Sequence, residues 1–368
     1  MRNPYLCRGG SPPRRLFLVR THAIGDVLLT TAALRALKKG WPQTQLVMVT
    51  GDRSGPALAH NPYLDNLLTF PESWWFSRDL RKLAQLTRLL SRCPKDGLIM
   101  FHASSLVHLW GLLLRAPRRV GFWQRGPKFL LTRNVPLVFG ADRYLGDIFL
   151  DLVRALGLQA DDPKPEIFLT PTERQQAQRI LPETLPGRWL IGVAPGGGQN
   201  PLEQVTLKQW PPSSYIALLK ELAASYPATF LLLGDRRDQQ VETIYQDARN
   251  AAVDVVNLRG QTGLRELMAL IGELDLLITN DSSPLHIATA LNTPLLALFG
   301  PTAAGALFLP GPHRRALQSS AVCSPCYPFG RAPQCPQPLC MPAIPVDSVS
   351  QAVSELLAQL GGPGHRRD

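Results

Sequence analysis

Short apolar runs, each closed by turn residues and followed by a helix-compatible stretch, recur along this chain in two separate trains. The first train opens with "RRLFLVRTHAIGDVLLTTAALRALKKGWP", which reads as a strand over Leu16–Arg20, a turn, and a helix from about Asp26 to Lys39. "TQLVMVT" supplies a second strand, and "GLIMFHAS" another after the amphipathic "RDLRKLAQLTRLLSR". A Pro-rich passage, "LPETLPGR" at Leu181–Arg188, interrupts the pattern. It then restarts with "WLIGVAPGGG", "ATFLLLGDRR", "DVVNLRG", "LDLLITNDSS" and "TPLLALFGPT". Parallel strands need crossover helices and are buried on both faces, so their runs are near-continuously apolar. The order predicts an α/β chain of two Rossmann-like, doubly wound domains facing a central cleft, with ligands at the carboxyl ends of strands. The expected divisions are 1–182, 183–345, a C-terminal helix over 346–360 and a disordered tail over 361–368. A chain of 368 residues, 45% hydrophobic, suits two such cores.

Charge separates the two halves. Residues 1–160 hold 23 Lys+Arg against 9 Asp+Glu, whereas residues 161–368 hold 16 against 19, so the whole excess behind the net +11 lies in the first half. Such a half is suited to a polyanionic partner: nucleic acid, anionic lipid headgroups or a phosphorylated substrate. No apolar stretch approaches the roughly 20 residues that span a bilayer. The N-terminal segment has basic residues but no apolar core, and Cys7 lacks the hydrophobic segment of a lipoprotein signal. A cytoplasmic protein is expected.

The stretch "ITNDSSPLHIA", Ile278–Ala288, sets an acid, two hydroxyls and a histidine between a strand and a helix. A helix N-terminus offers unpaired N–H groups and partial positive charge, which suits a phosphate. Ser282, Ser283 and His286 add side-chain donors there, although Asp281 or Ser282 can equally cap the helix. In "VAPGGGQN…TLKQWP", Gly196 and Gly197 let a backbone approach a ligand closely, and Lys208 can neutralise a phosphate. In "RTHAIGDVLLT", Asp26 stands at the start of the first helix, as an N-cap or as a carboxylate directed at the ligand side of the sheet.

Together "R-x-x-x-I-G-D-V-L-L-T", "P-G-G-G…K-Q-W-P", "N-L-R-G-Q-T-G-L-R-E-L" and "T-N-D-S-S-P-L-H-I-A-T-A-L…A-L-F-G-P-T" resemble glycosyltransferase family 9, the bacterial lipopolysaccharide heptosyltransferases, from about Leu16 to about Leu357. The resemblance implies a GT-B fold, with an N-terminal acceptor domain and a C-terminal domain that holds the nucleotide sugar. It assigns Asp26 as catalytic base, Lys208 to the donor phosphate and Asp281 to the donor sugar's hydroxyls. It gives Ser282, Ser283 and His286 to the diphosphate, Asp238 to the ribose and Thr262 to the adenine. Ser283 stands where the family usually has Gly, and Thr31 replaces a common Pro. A carboxylate base plus lysine and helix-terminus cations would serve an inverting transfer without a divalent metal or other cofactor, and no D-x-D is evident.

The implied donor is a nucleoside-diphosphate sugar, ADP-heptose. The implied acceptor is an anionic glycolipid, the lipopolysaccharide core, reached by a monomer peripheral on the inner membrane surface. Arg115, Arg118, Arg119, Arg125 and Lys128, interleaved with Phe122 and Trp123, are placed to grip its phosphates or acid-sugar carboxylates. Cys323, Cys326, Cys335 and Cys340 form C-x₂-C-x₈-C-x₄-C, readable as structural Zn, as an iron–sulfur site, or as reduced thiols ordering a Pro-rich loop. A nucleic-acid-binding protein would explain the basic half but not the Asp281 turn, and no reading module is present. A Rossmann oxidoreductase wants G-x-G-x-x-G after the first strand, which "THAIGD" does not supply. A sugar-nucleotide epimerase on the same architecture is the enzymatic rival.

Overall fold

The computed structural model describes residues 12–77, 79–182, 187–196, 206–327 and 333–364. Its first unit comprises β1 (Arg15–Val19), α1 (Ile24–Gly40), β2 (Gln45–Gly51), β3 (Asn66–Phe70), α2 (Glu72–Phe76), α3 (Leu80–Arg92), β4 (Gly97–Met100), α4 (Ser105–Leu113), β5 (Arg119–Trp123), β6 (Arg133–Pro136) and α5 (Leu145–Arg154). The second comprises α6 (Pro171–Ile180), β7 (Trp189–Ala194), α7 (Pro212–Ser225), β8 (Ala228–Leu232), α8 (Gln239–Asn250), β9 (Val255–Asn257), α9 (Leu264–Glu273), β10 (Leu276–Asn280), α10 (Ser283–Leu291), β11 (Leu295–Phe299), α11 (Ala304–Leu307), β12 (Arg314–Gln318) and α12 (Val346–Leu360).

Each unit carries a six-stranded, wholly parallel sheet, in the orders β3-β2-β1-β4-β5-β6 and β12-β11-β10-β7-β8-β9. Central strands such as "RLFLV", "WLIGVA" and "LLITN" are buried nearly end to end, as a sheet covered on both faces requires. Strand order reverses between β1 and β4 in one sheet and between β7 and β10 in the other. At such a point the two flanking loops leave in opposite directions and open a crevice at the carboxyl edge. The register puts Val19 beside Met100 and Ala194 beside Thr279, so the residues that follow each pair line that edge.

The units divide at Phe168/Leu169, upstream of the expected boundary at 182/183. The reason is local. The segment before the division is pinned to α1 by Arg35, which pairs with Asp162 at 2.9 Å and Glu166 at 2.8 Å, and by the Glu166 N–H, which donates to Thr31 Oγ1 at 2.9 Å. Helix α6 instead joins α9, where Arg265 meets Glu173 at 2.7 Å. Helix α12 packs on the second unit, its Val353 and Leu357 sharing a core with Trp189 and Tyr215. Beyond it, in the tail expected to be disordered, the Gly364 N–H donates to Asp275 Oδ1 at 3.0 Å, and the last four residues lie outside the described ones.

One buried bond ties a helix to the carboxyl edge of the second sheet. The Tyr215 hydroxyl, on α7, donates to Asn280 Oδ1 at 2.9 Å, and both side chains are fully buried. Tyr215→Phe leaves that oxygen without its donor, and urea unfolding is expected to show a loss of about 1–3 kcal/mol. An unchanged midpoint would mean that Asn280 is held by its other bond alone.

Candidate active site

At the switch point of the first sheet the chain leaves β1 through Arg20, Thr21, His22 and Ala23. Ala23 caps α1 with φ 70°, a left-handed backbone uncommon for a residue with a Cβ, and makes no side-chain cap bond. Asp26 sits two residues inside the helix and is not its N-cap, so the capping reading of this residue falls. Its carboxylate pairs with the guanidinium of Arg20, which also donates to the Phe101 carbonyl at 2.6 Å. Arg20 is buried, while the Asp26 side chain keeps 18% of its surface exposed. A carboxylate oriented by one buried cation and still reached by solvent can take a proton from an incoming hydroxyl.

Two histidines stand beside this pair. The Thr21 N–H donates to His102 Nε2 at 3.0 Å, and the Arg20 guanidinium lies 3.4 Å from Nδ1 of the same ring. Full burial, followed by the charge of Arg20, pushes His102 well below its ordinary value. His22 stacks edge-on against Phe76 and contacts the Thr21 hydroxyl at 2.8 Å. Burial and then Arg20 lower it to about 4, against a smaller upward pull from Asp26.

At the switch point of the second sheet, Asn280 ends β10 and its Nδ2 donates to the Pro195 carbonyl at 2.5 Å, fixing the end of β7 beside it. Asp281 follows, buried, and accepts a bond from Lys208 Nζ at 2.6 Å. Burial alone would raise the Asp281 carboxyl, but the charges of Lys208 and then His286 outweigh it and hold the group below its ordinary value. Ser282 is the N-cap of α10 yet makes no side-chain cap bond; its hydroxyl lies 3.4 Å from Thr279 Oγ1. Ser283 is the first helical residue, and His286 is buried one turn in. The structure thus brings Lys208, Asp281, Ser282, Ser283 and His286 to one edge.

Gly196 belongs to that edge as well, since a Cβ there would stand 3.3 Å from Asp238 Oδ2. Asp238 Oδ2 itself accepts the Asp235 N–H at 2.9 Å, closing the turn before α8. Gly197 lies outside the described residues. Thr262 is half-buried just ahead of α9, whose cap is Gly263.

Residues that sequence reasoning did not single out are Arg20, His22 and His102 in the first unit and Asn280 and Tyr327 in the second. Lys208 Nζ sits 5.2 Å from the Tyr327 ring centroid. Tyr327 comes from the cysteine loop, which is fastened to the end of β11: Cys326 and Tyr327 N–H both donate to the Pro301 carbonyl, at 2.8 and 2.7 Å. Cys340 is buried against Gly300. Cys323, Cys326, Cys335 and Cys340 are all free thiols. Burial, then the neighbouring Cys323 and Cys335, push the Cys326 thiol up, and burial does the same to Cys340. Among the described residues no group of three or more His, Cys, Asp or Glu is arranged to hold a metal.

The basic segment divides in its use. Arg119 opens β5, and its guanidinium donates to the Leu130 and Ala116 carbonyls at 2.8 and 2.7 Å, which commits it to the fold. Arg118 precedes it, half-buried. Arg115, just past α4 with φ 56°, is exposed, as are Arg125 and Lys128; the Lys128 ammonium lies 4.4 Å from the Trp123 ring centroid. Phe122 is core, on β5.

Solved structures match nearly the whole of this chain. The family 9 glycosyl transferase from Veillonella parvula covers 94% of it and is itself 97% covered, with a TM-score of 0.75 and 20% identity. The E. coli ADP-heptose lps heptosyltransferase II covers 94%, is 99% covered, and has a TM-score of 0.74 at 20% identity. The fold is GT-B, and the chain is a glycosyltransferase that uses a nucleotide-sugar donor. More narrowly, the model of glycosyltransferase family 9 (heptosyltransferase) matches residues 116–331, and the chain belongs to that family. Lipooligosaccharide heptosyltransferase 2 of Haemophilus ducreyi is 27% identical over 317 residues, 78% of this chain and 84% of that protein. The resemblance read from the four motifs is borne out.

The His22 shift has a consequence for stability. The unfolded chain protonates this ring near pH 6.5 and the folded one near pH 4, so between those values the unfolded state binds the extra proton. Stability from this group is therefore full above pH 6.5 and is lost as pH falls toward 4, by up to about 3 kcal/mol. His22→Gln is expected to flatten the pH dependence of unfolding free energy across that window. Equal slopes in mutant and parent would show that the folded ring titrates normally.

Proposed function

We propose that this protein is an inverting, metal-independent heptosyltransferase that moves heptose from ADP-heptose onto a lipopolysaccharide core acceptor at the inner face of the membrane. The observation that carries the donor half is the Lys208–Asp281 pair at the N-terminus of α10, on the carboxyl edge beside β7. Lys208 and the partial positive charge of a helix start would bind the diphosphate and stabilise its departure. Asp281, His286 and the Ser282 and Ser283 hydroxyls would fix the sugar and phosphates beside it. Gly196 would let the nucleotide lie close to backbone, with Asp238 and Thr262 on its ribose and base sides. The choice of ADP-heptose is supported by family membership and by relatives named as heptosyltransferases.

The acceptor half rests on Asp26. With Arg20 orienting it, Asp26 takes the proton of the attacking hydroxyl as that oxygen bonds to the anomeric carbon and the bond to the diphosphate breaks. One such displacement inverts the anomeric centre. The cations that stabilise the leaving group are protein groups, so no divalent metal is needed for that step. Arg115, Arg118, Arg125 and Lys128 are suited to the acceptor's phosphates or carboxylates. The four cysteines take no part in this chemistry and are read as reduced thiols that order the loop bearing Tyr327. Among the described residues no helix is long and apolar enough to cross a membrane, and the acceptor is reached by a cytoplasmic monomer working at the bilayer surface.

The test is transfer from ADP-heptose to heptose-free core oligosaccharide, with the product's anomeric configuration read by NMR and EDTA present throughout. Asp26→Asn is expected to melt within a few degrees of the parent, bind ADP normally and lose about 10²–10⁴-fold in rate. Parent-like turnover would remove Asp26 from the mechanism. Asp281→Ala is expected to weaken donor binding in calorimetry by about tenfold or more, the loss of one charge-assisted contact. Equal affinities would return Asp281 to a purely structural role.

A further inference from the structure

The outward sides of α3 and α4 form a surface that the transfer chemistry leaves unused. Both helices pack inward on one core of the first unit, in which Leu86 and Leu90 of α3 join Val107 and Trp110 of α4. The Trp110 Nε1–H donates to Thr87 Oγ1 at 2.8 Å and fixes the two helices side by side. The outer stripe of a surface helix is ordinarily polar. On α4 it is Leu106, Leu109 and Leu113, spaced i, i+3 and i+7, with 65%, 43% and 56% of their surfaces exposed. On α3, Leu89 is 63% exposed. On the short turn Lys128–Leu130, which packs against α4, Phe129 is 72% exposed. Single exposed apolar residues are ordinary, but five on three adjoining elements mark a place where something docks.

The charges around this patch select its partner. From Leu80 to Leu130 the chain holds ten Lys and Arg against one acid, Asp96. That acid is engaged by the Arg14 and Arg15 N–H groups at 2.6 and 3.1 Å. Arg81, Lys82, Arg88 and Arg92 are exposed along α3, and Arg125 and Lys128 flank Phe129. A second copy of the same face would press cation against cation. A nucleic acid would answer the cations and leave the leucines in water. An anionic bilayer answers both: the apolar side chains enter the acyl boundary, and the Lys and Arg heads stay at the level of the headgroup phosphates.

We propose that the outer face of α3 and α4, with Phe129, is the surface by which this protein docks on an anionic bilayer. The inference deepens the proposed function, because it supplies the contact through which a membrane-held acceptor is approached. It does not depend on which sugar is moved.

The test is co-sedimentation of the full chain with phosphatidylcholine vesicles, with and without roughly one-third phosphatidylglycerol, at low and at about 0.5 M salt. The parent is expected to bind the anionic vesicles, less at high salt, and to ignore the zwitterionic ones. Leu106→Gln/Leu109→Gln/Leu113→Gln removes only exposed apolar surface and is expected to lower that binding by about tenfold or more while melting like the parent. Arg88→Glu/Arg92→Glu is an independent second variant, expected to lose binding in the same assay. Failure of the parent to bind, or parent-like binding by both variants, would overturn the proposal. So would a concentration-dependent dimer that the triple variant abolishes, since the face would then be a contact between copies.

Transfer to delipidated acceptor in solution separates this inference from the proposed activity. A triple variant that transfers normally in solution and poorly to vesicle-held acceptor supports the docking face. A parent that binds vesicles through these leucines but transfers no heptose to either acceptor leaves the face standing and removes the activity.

Discussion

A parallel sheet buried on both faces has one chemically versatile edge. Its ladders satisfy the backbone, its side chains are apolar by necessity, and polar groups accumulate where strands run out into loops. In this chain that constraint acts twice, beside β1 and β4 and again beside β7 and β10. Polar side chains at these edges are withdrawn from water on the sheet side, so each charge needs a partner or it costs heavily. Arg20 answers Asp26, and Lys208 answers Asp281. Removing either member of such a pair strands the other, which is why the edges are held as units.

The two pairs are not equivalent in what they leave available. Arg20 is an orienting cation: its planar fork reaches the Phe101 carbonyl and the Asp26 carboxylate at once and so fixes the angle of the acid. Its neighbours His22 and His102 are both shifted toward the neutral form, so neither ring adds a persistent positive charge beside Asp26. Lys208 is a point charge on a flexible stem, braced by Asp281 on one side and the face of Tyr327 on another. A compact ammonium with rotatable donors suits a diphosphate that arrives and departs, whereas a rigid guanidinium suits a carboxylate that must stay in place.

Much of the architecture was legible because buried parallel strands write themselves as uninterrupted apolar runs. β1, β2, β4, β7, β8, β10 and β11 all did so. Strands β3, β5 and β6 were not, since they lie toward the two edges of the sheet and mix polar or charged residues with apolar ones: "RVGFW" reads as part of a basic loop until Arg119 is seen bonding carbonyls on either side of it. Lys208 and Asp281, singled out in the sequence through turn chemistry, are brought together as an ion pair. Arg20 was not legible, because a charged residue after an apolar run reads as the strand's end and nothing local says which acid it will meet. Tyr327 was out of reach for a different reason: its place beside Lys208 depends on hydrogen bonds to Pro301, a contact set by tertiary packing of a loop. The capping alternative for Asp26 also needed the backbone, since it turns on whether the helix starts at Ile24 or at the acid itself.

Helix α4 shows the limit of periodicity from the other side. "SLVHLWGLL" is apolar all round, which in sequence argues for a helix wholly in a core. The structure buries one side of it and exposes the other, and the exposed side lies within the most cationic stretch of the chain. The proposed docking face would also account for the charge asymmetry between the halves. On the proposed reading the second unit binds its diphosphate with one lysine and a helix terminus in a desolvated setting, where a single charge acts strongly and no net charge is required. A surface that must find a bilayer acts through water, where each exposed charge is screened within about 8–10 Å and many are needed. On that reading the proposed donor unit can be close to neutral, while the unit proposed to meet the membrane carries the whole excess.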